Sequence, residues 1–215
     1  MKPYLAFILG LILMFTGMDV AAQAKSQQQA ITRVACVGDS ITEGLGTDPG
    51  RSYPEQLQKL LGDRWEVGNF GISARTLLRK GDLPYWNESI FRKAQAFQPN
   101  IVIIMLGTND TKPNNWVHSS DFAADYTALV KTFLDLPSQP TVYICKPIPA
   151  PEPNERIIQQ QIRILKKLAT ELPVKLLDMH SALEPYPELI PDDIHPNSAG
   201  AAVLAATAAR AITAR

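Results

Sequence analysis

Neither sign of charge is in excess in this chain. Its 215 residues carry 21 Lys and Arg against 21 Asp and Glu. No excess of basic charge therefore argues for nucleic acid or for an anionic membrane surface. Cysteine is scarce, with two in the whole chain, which excludes a disulfide scaffold. Cys36 and Cys145 each sit inside an apolar run that reads as a strand, so buried thiols are expected. There is no internal repeat, no low-complexity block and no composition break inside the chain. There is no G-x-S-x-G elbow, and no P-loop lysine follows the glycines at 44 and 46.

Only one apolar run stands apart from the folded pattern, Leu5 to Phe15. It is short of the roughly 20 residues that a membrane span needs. Lys2 precedes it, Asp19 follows closely, and small residues end at Ala22-Gln23-Ala24. This is the layout of a secretory signal peptide; an uncleaved anchor is the alternative. No cysteine lies near the cleavage point, which argues against a bacterial lipid anchor. Residues 1–24 are therefore expected to be a signal peptide, 25–31 a disordered lead-in, and 32–215 a single domain of an exported protein, periplasmic or extracellular.

What is present is an alternation of strands and helices. The run Val34 to Val37 reads as a buried strand, and Ile101 to Leu106 as a central one covered on both faces. Arg64 to Phe70, Thr141 to Cys145 and Val174 to Leu177 read as three more. Helical spacing marks Tyr53–Leu61, about Glu88–Phe97, Ser119 to about Leu136 with Ser119 as cap, Asn154–Glu171 and Ser198 to about Ile212. Ile72–Leu78 reads as the start of a helix, and Glu184–Asp193 as an irregular Pro-rich loop. Five alternations mean a parallel sheet with helices on both faces.

Three strands end in glycine-containing polar turns: Gly38-Asp39-Ser40, Asn69-Phe70-Gly71 and Gly107-Thr108-Asn109-Asp110. In a parallel sheet all carboxyl ends share one edge, so these turns converge. The last loop adds Asp192-Asp193-Ile194-His195. A carboxylate three residues from a histidine can hold one ring nitrogen and leave the other for a serine hydroxyl, the arrangement of a serine–histidine–acid triad. Asp193 is the alternative acid. Asp39 is expected to bond the backbone of its own turn and Asp110 to cap its loop, while His118 and His180 read as surface histidines.

Together these blocks, in this order, resemble the SGNH hydrolases, also called GDSL esterases and lipases. The resemblance runs from the first strand to the last helix. It implies a flavodoxin-like three-layer α/β/α fold with strand order 2-1-3-4-5, and no metal or organic cofactor. It implies Ser40 as nucleophile, His195 as general base and Asp192 as its orienter. The oxyanion hole it implies is the backbone N–H groups of Ser40 and Gly71 with the Asn109 side chain. In that strand order the third strand separates Cys36 from Cys145 by about 9.6 Å, two strand spacings, beyond disulfide reach.

The stretches Gly68–Ser73 and Gly81–Glu88 look like those of bacterial sialate and other carbohydrate O-acetylesterases. The expected partner is thus a small-molecule or glycan ester, with neither nucleic acid nor a stable membrane association. Tyr85, Trp86 and Trp116 lie in loops near the expected catalytic edge, and aromatic faces there suit sugar rings; packing the loops down is the equal alternative. Arg75 is placed either against substrate or on the surface. The other readings are a lysophospholipase or thioesterase, a non-catalytic glycan-binding domain on the same fold, and a phosphate-binding protein.

Overall fold

In a computed structural model the described residues are 30–214. The expected signal peptide and most of the lead-in lie outside them. Five parallel strands form the sheet: β1 (Thr32–Gly38), β2 (Trp65–Gly71), β3 (Ile101–Met105), β4 (Thr141–Lys146) and β5 (Val174–Asp178), in the order β2-β1-β3-β4-β5. The expected flavodoxin-like order is the one found.

Strand pleating sends alternate residues to opposite faces. Val34, Cys36, Ile103, Met105, Tyr143 and Cys145 enter one core, and Ala35, Val37, Val102, Ile104, Val142 and Ile144 the other. The first core lies under α2 (Tyr53–Leu61), α7 (Met179–Leu183) and α8 (Ser198–Thr213). The second lies under α3 (Ser89–Ala96), α5 (Phe122–Leu134) and α6 (Asn154–Glu171). Two four-residue helices, α1 (Ser40–Glu43) and α4 (Pro113–Trp116), sit directly after β1 and after the β3 turn. Burial on both faces is why the strands read as near-continuous apolar runs rather than as alternating ones.

Register places the site. Gly38 pairs with Gly71 on one side and with Met105 on the other, so β1, β2 and β3 end level and their polar turns stand side by side.

Five expectations change. Ile72–Leu78 is not a helix: Ala74 has φ 66°, and the Leu77 and Leu78 N–H groups donate to the Asp110 carboxylate at 2.9 and 2.8 Å. A carboxylate 32 residues downstream takes the donors that a helix would have used, so Asp110 caps this loop rather than its own. Ser119 caps no helix; Ser119–Asp121 is a 3-10 turn leading into α5. The loop expected over Glu184–Asp193 contains a 3-10 turn at Pro187–Leu189. His180 is not on the surface: it is buried on α7, with Nε2 2.9 Å from Glu155 Oε1.

Candidate active site

Asp39 follows β1 and caps α1, its Oδ1 accepting from the Ile41 N–H at 3.0 Å. That cap turns the chain sharply and leaves Ser40 as the first helical residue, whose N–H has no acceptor within the helix. Ser40 is nearly buried, with 5% exposed, yet its Oγ reaches His195 Nε2 at 2.9 Å. His195 Nδ1 lies 2.7 Å from Asp192 Oδ2. An ionised carboxylate only accepts, so Nδ1 carries the ring proton and Nε2 is left to accept from the serine hydroxyl. The other Asp192 oxygen accepts from the backbone N–H groups of His195 at 2.6 Å and Ile194 at 3.1 Å.

Partial burial alone raises the Asp192 carboxyl. The hydrogen bonds from the His195 N–H and ring and from the Ile194 N–H outweigh it and hold the group below its ordinary value. Asp192 therefore stays ionised opposite the histidine at neutral pH. Asp193 takes φ 64° and contributes no bond to the ring; it lines a depression of about 70 Å³ with Asn109, Lys112, Ile148, Pro149 and Ile194.

On the other side of Ser40, the Asn109 Nδ2 group is 3.2 Å from the Arg75 carbonyl and 3.4 Å from Asp39 Oδ2. This places a neutral amide donor at the edge of the serine turn. Gly71 is beside it, but its N–H is already in use, donating to Asn69 Oδ1 at 3.0 Å, while Asn69 Nδ2 donates to the Glu43 carbonyl at 3.3 Å. The reason for glycine there is packing: a Cβ on Gly71 would stand 2.2 Å from the Glu43 backbone nitrogen. An asparagine two residues before a glycine N–H is the spacing of an Asx turn, so this capture was open to a sequence reading and went unread.

The aromatic and basic candidates are engaged with the protein itself. Trp86 is half-buried, donates from Nε1 to the Leu77 carbonyl at 2.7 Å, meets Phe91 edge-on and carries the Arg79 guanidinium on its face at 3.9 Å. Trp116 donates to Gln160 Oε1 at 3.4 Å and packs edge-on against Phe122. Tyr85 is buried, its hydroxyl donating to the Phe70 carbonyl at 2.7 Å. The Arg75 guanidinium is held by Glu88, 2.7 Å from Nη2, and the Ser73 carbonyl, 2.8 Å from Nη1. For Tyr85, Trp86 and Trp116 these contacts are those of loop packing.

Sequence reading missed the brace around His195. Gly46, at φ 89°, passes so close that an added Cβ would lie 2.9 Å from the His195 Cβ. Ser198, at the start of α8, donates from Oγ to Asp48 Oδ2 at 2.7 Å and accepts from the Asp48 N–H at 3.0 Å. The serine loop and the histidine loop are thus bound to each other across about 150 residues of sequence. Among the described residues no cluster of three or more His, Cys, Asp and Glu is arranged to hold a metal ion.

Residues 36–203 match the profile of the GDSL-like lipase/acylhydrolase family. An acetylxylan esterase of Xylanibacter ruminicola is 40% identical across 84% of this chain and 43% of its own length, so the chain spans less than half of that relative. Among solved structures, a carbohydrate acetylesterase family member from Sinorhizobium meliloti superposes with a TM-score of 0.70 at 21% identity, over 85% of this chain and 97% of that one. An inhibitor-bound aryl esterase of M. smegmatis superposes with a TM-score of 0.68 at 24% identity, over 84% of this chain and 98% of that one. At such identities these two likenesses concern the fold alone.

Proposed function

The chain belongs to the GDSL-like lipase/acylhydrolase family, and from that premise we propose that it is an exported serine esterase that removes small acyl groups, acetyl above all, from carbohydrates. The observation that carries this reading is the unbroken relay from Ser40 Oγ through the His195 ring to Asp192.

A serine hydroxyl attacks an ester slowly until a base takes its proton. In the proposed cycle His195 Nε2 receives the Ser40 proton as Oγ bonds to the ester carbonyl carbon. The carbonyl oxygen becomes an alkoxide, facing the Ser40 N–H and Asn109 Nδ2, which shares one of the two hydrogens it gives to the Arg75 carbonyl and Asp39 Oδ2. Collapse of this intermediate breaks the bond to the sugar oxygen, which leaves with the proton from Nε2. Water then repeats the sequence on the acyl-serine, releasing the acid and restoring Ser40. Asp192 keeps the ring in the right tautomer and offsets its transient charge. The Gly71 N–H joins the alkoxide donors only when Asn69 Oδ1 lets go of it.

The substrate class rests on the relationship to the acetylxylan esterase and not on the tryptophans, whose indoles are committed to packing. Export rests on the composition of residues 1–24.

The test is kcat/KM for acetyl, butyryl and octanoyl esters of one leaving group, with acetylated xylan oligosaccharides alongside and Ser40→Ala as control. A site built for fatty chains gains about 0.8 kcal/mol of binding per buried CH₂. A site built for acetate loses rate as the chain grows. Acetyl is expected to be best; an octanoyl optimum replaces this reading with a lipase or thioesterase, and full activity in Ser40→Ala removes it.

A further inference from the structure

Asp39 is 1% exposed, stands next to the nucleophile and has no part in the relay. Its Oδ1 accepts from the Ile41 N–H, and its Oδ2 lies 3.4 Å from the Asn109 amide nitrogen. We infer that Asp39 is a positioning residue: its ionised carboxylate selects the orientation of Asn109 in which the amide N–H₂, not the amide oxygen, faces the alkoxide. The inference rests on the proposed esterase reading of Ser40 and Asn109.

A side-chain amide has a donor end and an acceptor end of nearly equal size, and its neighbours decide which way it points. The Arg75 carbonyl and an ionised Asp39 both accept only, so both call for Nδ2. A protonated Asp39 has a hydrogen to give. Asn109 can then meet that hydrogen only by setting its own oxygen against the Arg75 carbonyl, so the amide is pulled two ways and its donor end is no longer held toward the alkoxide. The charges facing Asp39 are Asp110 from the β3 turn and, beyond Ser40, His195 from the last loop. The Arg75 guanidinium is turned to Glu88, and Glu43 of Asp39's own helix is bonded to Ser73.

Burial first and Asp110 second push Asp39 up to about 7, against the Ile41 and Asn109 hydrogen bonds. The ionised form is the active one, so activity is lost as pH falls through that value. His195 must also be unprotonated to act as base. The acid limb of kcat for the native enzyme therefore takes up more than one proton.

Asp39→Asn separates capping from positioning. Asparagine caps a helix as well as aspartate does, so Oδ1 keeps the Ile41 bond. Its Nδ2 then meets the Asn109 donor end and works against the Arg75 carbonyl that holds it. The expected result is a kcat lower by about 10- to 100-fold, less than the 10²–10³ that loss of one whole alkoxide donor costs, with KM nearly unchanged. The low-pH limb of Asp39→Asn should take up a single proton. In an Asn109→Ala background the same substitution should cost less than about twofold, because the amide it acts through is gone. Asp39→Ser, also a good cap, should repeat the result if the asparagine variant is poorly folded.

A native kcat in Asp39→Asn, an equal cost with and without Asn109, or an unchanged proton count each overturns the inference. Retained activity in Ser40→Ala overturns instead the esterase reading beneath it.

Discussion

Asp192 and Asp193 are adjacent carboxylates with unequal places, and the difference sets a prediction. Asp192 holds the His195 ring with one oxygen and two backbone N–H groups with the other. In Asp192→Asn the single remaining oxygen stays with the two N–H groups, and the new NH₂ faces Nδ1. The ring must then accept at Nδ1 and carry its proton on Nε2, where no base is left for Ser40. A loss on the order of 10³–10⁴ in kcat is expected, as for other triads put in the wrong tautomer. Asp193 sits in the left-handed region at φ 64°, which asparagine enters as readily as aspartate. Asp193→Asn should keep kcat within about threefold, since it removes no bond to the ring and adds no strain. Steady-state rates for the two variants decide the point, and the reverse ranking hands the orienter role to Asp193. The spacing of the two acids to His195 left both open; which one turns inward depends on the backbone angle at 193, and no side-chain pattern reports that angle.

At the scale of elements, the site is two loops pressed together rather than one rigid motif. The loop after α1 reaches the histidine loop through Gly46, and through Asp48 to Ser198. Gly46 and Gly50 both have positive φ, 89° and 75°, but only Gly46 lies against His195; a Cβ on Gly50 meets nothing within 4 Å. Alanine at either position pays the same kind of backbone strain, about 1 kcal/mol or more. Gly46→Ala in addition pushes on the His195 Cβ and the Pro196 carbonyl. Both variants should melt lower than the native protein, Gly46→Ala the more so, while only Gly46→Ala loses kcat, by roughly tenfold or more, as misplacement of a catalytic group does. Equal kcat in both would show that the contact does not position the histidine.

The regular elements were legible because their cause is local. The runs at 34–37 and 101–106 are apolar enough to be buried on both faces, and α6 keeps Ile158, Ile162, Leu165 and Leu168 on one buried stripe. What failed was decided at long range: Asp110 taking the N–H groups of 77 and 78, and Glu155 drawing His180 inside. Each is a polar bond between segments whose order in the sequence says nothing of their contact.

For the molecule as a whole, strand order decides the chemistry of both cysteines. Cys36 is on β1 and Cys145 on β4, with β3 between them. Two strand spacings put the backbones about 9.6 Å apart, past the roughly 7 Å that a disulfide spans. Burial pushes the Cys36 thiol up to about 12, less a small opposing effect of the Tyr53 hydroxyl, and holds Cys145 well above its ordinary value, with Cys36 adding to it. Neither side chain has exposed area, and both belong to the core under α2 and α8. A thiol reacts as its thiolate and only where reagent can reach it. Both cysteines should therefore be silent in the native state and become reactive together, because exposing either means lifting the helices from one face of the sheet. Under a thiol-reactive dye, two equivalents should be consumed in one phase whose rate rises with urea in step with the loss of helical circular dichroism. A single thiol reacting early would mean that one edge of this core opens alone. Fewer than two thiols after full denaturation would reveal a bridge that the strand order forbids.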